Sequence, residues 1–214
     1  MRRGRFERGP VTGIRPERVP FGNEVATGSR TWFDDLRVDP TARTTGANAP
    51  TFAVIRKDAA DTSRGVWAYI FDNAAGGSEK ELTLNFQMPH GKLLGSPIDL
   101  HMHWLPMTDG TAGQLVRWGL EYTWASLGDV FPVTTTVYAL SPLIGDVTTA
   151  FTHSLTPFAA LAPPANEEIS SILQCRLFRD SANALDTYTG SVALLSVDAH
   201  VEFDRIGSRD EFVQ

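Results

Sequence analysis

From Thr51 onward the chain is built of short stretches in which apolar and polar side chains alternate, separated by turn residues. Alternation at a period of two places one set of side chains on one face of an extended strand and the other set on the opposite face. Leu82, Leu84, Phe86 and Met88 share a face, as do Ile98, Leu100, Met102 and Trp104. Trp118, Leu120, Tyr122 and Trp124 form a third such set. In the last run, Leu195, Val197, Ala199, Val201 and Phe203 alternate with Ser196, Asp198, His200, Glu202 and Asp204, which predicts a half-buried strand with a solvated or interface face. Residues 51–55, 65–71 and 133–138 are rich in β-branched and aromatic residues and are read as further strands. Residues 169–179 read as a strand, with a helix as the alternative. Prolines 142, 157, 163 and 164 and Gly145 break up residues 139–168, which predicts loops and one short helix near Asn166-Glu167-Glu168.

The runs 98–105 and 115–124 flank an Asp109-Gly110 step, a hairpin signal. Paired as a hairpin turning near 109–111, they would set His103 opposite Arg117 and Asp99 opposite Glu121. Their tryptophans predict an aromatic core layer. About eight strands, turn signals between them and no long helix point to an all-β antiparallel β-sandwich or jelly roll. No internal repeat supports a propeller or β-helix.

Residues 1–30 have a different texture. Gly4, Gly9, Pro10, Gly13, Pro16, Pro20, Gly22 and Gly28 leave no period intact, so this segment is expected to be an extended arm and residues 31–214 the β domain. Charge reinforces that division. The 214-residue chain has a net charge of −6, yet its first thirty residues hold seven Arg against three Glu, +4, which leaves −10 for the body. Arg2, Arg3, Arg5, Arg8, Arg15 and Arg18, with Phe6, Ile14 and Phe21 spaced among them, suit a tether that docks on a neighbour. An acidic body is not expected to bind nucleic acid, because the phosphate backbone demands positive charge. No stretch has the apolar length of a transmembrane helix, and no apolar region follows the N-terminal arginines as in a signal peptide, so neither a membrane nor secretion by that route is expected.

Chemistry is sparse. A lone cysteine, Cys175, excludes an intrachain disulfide and a cysteine zinc cluster, and its apolar run marks a structural thiol. The nucleophile-elbow, P-loop, dinucleotide and HExxH motifs are absent. Asp34-Asp35 and Glu167-Glu168 are adjacent in sequence and would point to opposite faces of a strand. His101 and His103 stand at i and i+2 of a strand and share a face, the geometry of a metal pair. A cupin would add a carboxylate three or four residues later, and residues 104–108 offer none. Glu121 from the expected hairpin, with His200, could complete a site, although Arg117 would repel a cation there. A polar strand face hydrogen-bonded across strands or a subunit interface is the preferred reading, with no catalytic residue, metal or cofactor expected. Trp67, Trp104, Trp118 and Trp124 fall on apolar faces and are assigned to the core. Trp32 lies outside the strand runs and is freer.

Trp32-Phe33-Asp34-Asp35-Leu36-Arg37, Pro89-His90-Gly91, Asp99 to Trp104, Val116 to Trp124, Cys175 to Asp180 and Gly207 to Phe212 resemble a set found in tailed-bacteriophage and prophage proteins. The likeness spans most of residues 31–212 and leaves out the arm. It implies a virion structural protein, assembled in the host cytoplasm, that works without catalysis. Phage decoration, neck and tail proteins of this kind are often jelly-roll trimers, so a homotrimer contacting major capsid, portal, neck or tail proteins is expected. A receptor- or glycan-binding module is the first alternative, with exposed aromatics, Trp32 foremost, beside a polar groove. A cupin-like metal enzyme using His101, His103, Glu121 and His200 is the second.

Overall fold

The computed structural model describes residues 31–38, 49–73, 79–142 and 149–207. The arm residues Arg2, Arg3, Arg5, Phe6, Arg8, Ile14, Arg15, Arg18 and Phe21 lie outside that range. The described residues form ten strands and no helix: β1 (Trp32–Val38), β2 (Thr51–Lys57), β3 (Gly65–Phe71), β4 (Glu81–Gln87), β5 (Asp99–Pro106), β6 (Leu115–Ala125), β7 (Thr135–Pro142), β8 (Ser154–Pro157), β9 (Ile172–Arg179) and β10 (Val192–Phe203).

All pairings are antiparallel and make two sheets. The six-stranded sheet runs β2-β3-β10-β5-β8, with β1 pairing the far half of β10; the four-stranded sheet runs β4-β9-β6-β7. Four nested pairs, β3 with β10, β4 with β9, β5 with β8 and β6 with β7, describe one long ribbon folded across two sheets. Closing β10 on β5 and β9 on β6 rolls that ribbon up. This is the strand order of an eight-stranded jelly roll, with β1 and β2 added at one edge.

The inward faces interdigitate as the alternation predicts. Leu82, Leu84 and Phe86 of β4 meet Leu100, Met102 and Trp104 of β5 and Val197, Ala199 and Val201 of β10 in a single buried cluster. Trp104 and Trp118 are fully buried and pack edge-on with ring centroids 6.2 Å apart. They meet across the sandwich. β5 and β6 belong to different sheets, so the expected hairpin does not form, and Asp109-Gly110 lies in a crossover loop. The two runs look like partners because both bury a tryptophan face, but those faces oppose one another, and a loop of Met107 to Gln114 is long enough to change sheets.

Four further elements depart from expectation. Trp32 opens a strand, β1, whose exposed Asp34 and Asp35 carry no burial pattern to read. β8 falls where loops were expected, because its inward side chains are polar: Ser154 and Thr156 are buried, and Thr156 Oγ1 accepts the Trp104 indole N–H at 2.9 Å. Near residues 166–168 a turn replaces the short helix. Glu167 turns inward to form a buried ion pair with Lys92 at 2.8 Å, while the Ser126 hydroxyl donates to the Asn166 carbonyl. Trp67, assigned to the core, is 54 % exposed, because the β2–β3 hairpin overhangs the narrower four-stranded sheet; there it stacks on Phe52.

Candidate functional site

Strands β1, β10 and β5 lie side by side, and their outward positions line up in rows. Asp198 stands between Arg37 and His101, Ser196 is opposite His103, and His200 stands between Asp35 and Asp99. The sheet therefore gathers His101, His103, His200 and Asp198 on one outer surface, away from the sandwich core.

A loop brings the fourth histidine. Phe151 adopts a positive φ of 67°, a conformation that side chains rarely take, and its N–H donates to the Pro106 carbonyl at 2.7 Å. Its ring packs on a small outer cluster of Ala68, Leu105 and Ala193, and the Arg56 guanidinium carbon lies 3.8 Å from the ring centroid. Two residues on, His153 Nε2 reaches His103 Nδ1 at 2.8 Å.

Asp198 is the centre of the group. Its side chain is 4 % exposed, and a carboxylate so far from water needs compensating partners. The Ser196 hydroxyl donates to Oδ1 at 2.8 Å. Oδ2 lies 3.0 Å from His103 Nε2 and 3.7 Å from His101 Nε2. Arg37 approaches Oδ1 only to 3.9 Å, with its side chain 75 % exposed, so it adds little. His101 and His103 are themselves half-buried, ring to ring at 5.3 Å. His200 is a neighbour, not a member: its ring lies 6.4 Å from that of His101, and its Nδ1 faces Asp35 at 3.7 Å.

The shared face of His101 and His103 is as expected. Glu121 is not part of the group, because β6 belongs to the other sheet. There it accepts the Arg176 Nε–H at 2.7 Å and the Thr134 hydroxyl at 2.6 Å, which hold its carboxyl below the usual carboxylate range, the hydroxyl more strongly. Nor does Arg117 face the histidines; it pairs with Asp180 and stacks on Tyr138. Asp198 takes the place that Glu121 was expected to fill, and His153, not His200, is the further histidine brought against the pair. The alternation of β10 already put Asp198 on the polar face, and only the neighbour relation of β10 to β5 was missing. His153 sits in a loop and carried no signal.

Two other surfaces stand out. An open groove of about 700 Å³ crosses the outer face of the four-stranded sheet, lined by Asn85, Glu121, Thr123, Thr134, Gln174 and Arg176 among others. No tryptophan lines it; the exposed Trp32 and Trp67 belong to the other sheet. Elsewhere, the β6–β7 loop presents Leu127, Val130, Phe131 and Val133, with Val130 91 % and Val133 92 % exposed. Cys175 is buried, which pushes its thiol pKa up to about 12. No helix among the described residues is long and apolar enough to cross a membrane.

Fold and surface together define an all-β jelly-roll sandwich with a polar histidine–aspartate face and apolar protrusions. Neither a family model nor a curated protein matches the chain. Among solved structures it is similar to one described as the structure of infectious bursal disease virus Gx strain, at 13 % identity and a TM-score of 0.35. That match covers 93 % of this chain and 38 % of the viral chain, so this chain spans well under half of its length.

Proposed function

We propose that the chain is a non-enzymatic structural component of a bacteriophage virion, at head decoration, neck or tail-fibre attachment. It assembles through protein contacts as a homotrimer and with capsid, portal or tail proteins, and residues 1–30 serve as its tether. The observation that carries this reading is the β6–β7 loop. Four large apolar side chains within seven residues, Leu127 to Val133, are exposed on this one loop, and a cluster of that kind marks a contact surface more often than scattered exposed residues do. The stacked Phe52–Trp67 overhang is a second such surface. The jelly-roll strand order and the resemblance to phage proteins point the same way.

Light scattering coupled to size exclusion tests it. The wild type is expected at three times the chain mass, and Val130→Asp with Val133→Asp should give a folded monomer that melts at a lower temperature than the trimer, since the stabilisation by the partner subunits is lost while neither side chain is packed within the single chain. Deleting residues 1–30 should leave a folded body that fails to join particles. A wild-type monomer at high concentration, or normal incorporation of the truncated chain, would refute the proposal.

The polar groove supports a second reading, a glycan- or receptor-binding module. Its amide, hydroxyl, carboxylate and guanidinium groups suit a polyol, although the aromatic platform expected beside it is absent. A glycan array with no hits, or hits unaffected by Gln174→Ala, removes that reading.

A further inference from the structure

We propose that His101 Nε2, His103 Nε2 and Asp198 Oδ2 form a three-ligand site for a zinc-class divalent metal ion, open on its outer side. The three ligand atoms lie within 4.8 Å of one another, and the two histidine nitrogens stand 3.7 and 3.0 Å from the same carboxylate oxygen. Bonds of about 2.0–2.1 Å in a tetrahedron put neighbouring ligands roughly 3.3–3.4 Å apart. The two spacings to Asp198 bracket that value and the third pair lies within 4.8 Å, so rotation of the two rings toward each other would seat an ion.

The outer contacts favour the same arrangement. A metal-ligating histidine usually has its other ring nitrogen fixed by a hydrogen bond. His103 Nδ1 is fixed in that way by His153 Nε2 at 2.8 Å, which leaves Nε2 to face Asp198. Asp198 Oδ1 is occupied by the Ser196 hydroxyl, which leaves Oδ2 for the ion. The carboxylate is buried, and among the described residues no lysine or arginine is both buried and close to it; a bound dication supplies positive charge at short range. Arg37 is the competing positive group, and its exposed side chain can swing into water. The expected cupin arrangement used Glu121; the site found here takes its carboxylate from β10 and lies on the outside of the sandwich. No reaction is assigned to it. The open position admits water or a side chain from another subunit.

The test uses the untagged full chain, stripped with a chelator and titrated with Zn²⁺ alone by calorimetry, and with Co²⁺ followed by its visible absorption. One ion per chain is expected, with the intense Co²⁺ bands of tetrahedral coordination. At a Zn²⁺ concentration of about 100 times the dissociation constant, the melting temperature should rise by about 5–11 °C. His101→Ala and Asp198→Asn should each abolish stoichiometric binding; His101→Ala is the safeguard should the buried Asp198→Asn fold poorly. His153→Gln should weaken binding about 10–100-fold. Arg37→Gln should bind at least as tightly as wild type, and Glu121→Gln should bind identically. Sub-stoichiometric zinc in the wild type, or equal binding by wild type and His101→Ala, overturns the site. Neither result depends on whether the chain forms trimers.

Discussion

Replacing Arg179 with methionine removes a guanidinium that is fully buried at the inner end of β9. Its Nε and Nη2 donate to the two oxygens of Asp186 at 2.9 and 2.8 Å. Nη1 donates to the Gly190 carbonyl at 2.7 Å and more weakly to that of Phe71, and Nη2 also reaches the Tyr188 carbonyl. Asp186 Oδ2 accepts one further bond, from the Arg117 backbone N–H at 3.0 Å. Methionine fills much of the space and needs no partners. It leaves behind a buried carboxylate with one remaining donor and three carbonyls that have lost one. Breaking one side of a buried pair costs about 3–5 kcal/mol, because the surviving charge is stranded. Total stability is about 5–15 kcal/mol, so roughly a fifth or more of it is at stake. For a chain of this length the loss corresponds to a fall in melting temperature of roughly 6–20 °C.

Urea unfolding followed by tryptophan fluorescence, at fixed protein concentration, measures it. Asp186→Asn should be comparably costly, since it strands the guanidinium instead. The double variant should lose less than the two single losses combined, by about 1–3 kcal/mol, because the second change removes a group already unpaired. A loss below about 1 kcal/mol for Arg179→Met, or additivity within about 0.5 kcal/mol, would refute the reasoning that this pair is a coupled, water-free unit.

Gly119→Ala should cost about 1–3 kcal/mol, because a Cβ there would clash with the tip of the Phe178 ring on the neighbouring strand β9; Phe178→Leu in the same chain should recover part of it in the same urea assay. Cys175 should resist a thiol-specific disulfide reagent at pH 8 in the native protein and react once urea unfolds it, since burial holds the thiol pKa at about 12; equal labelling rates in the two states would contradict its placement. Glu121→Gln should lower the melting temperature slightly at neutral pH and not in acid. The folded carboxyl has a depressed pKa, so its contribution is complete above the unfolded value and fades as pH falls through the folded one; a difference that persists in strong acid counts against the Thr134 and Arg176 contacts.

Two signals made strands legible. β4, β5, β6, β9 and the C-terminal half of β10 each bury one alternating apolar set, and burial imposes the pattern, while β2, β3 and β7 were legible from their β-branched and aromatic residues. β1 and β8 were illegible for opposite reasons. β1 is exposed along most of its length, and β8 buries Ser154 and Thr156, whose polarity is answered by the Trp104 indole and the sheet itself. Pairing was less accessible than strand location. Nothing within 98–124 says that its two tryptophan faces oppose one another, and the Asp-Gly step pointed to the wrong connection. The error about Glu121 followed from that one, since partners across a sheet are set by strand order. Arg179 was hidden because its neutralising partner, Asp186, lies beyond the strand.

One residue in β10 ties core and surface together. From Val192 to Leu194 the strand meets β5 in one register, and from Ser196 onward in a register shifted by one, with the irregularity between Leu194 and Ser196. Leu195 is the extra residue, 39 % exposed although it is a leucine in the longest strand of the sheet. Such a bulge leaves one side chain unpaired and reverses which residues face inward. Before it, Val192 and Leu194 enter the core; after it, Val197, Ala199 and Val201 do. Continued without the bulge, the first phase would turn Ser196, Asp198 and His200 toward the tryptophans and Val197 toward solvent. The adjacent leucines 194 and 195 are the sequence trace of this change of phase, because a strict alternation would not place two apolar side chains side by side. The same insertion therefore completes the hydrophobic core at the end of β10 and delivers Asp198 to the outer face, opposite His101 and within reach of His103.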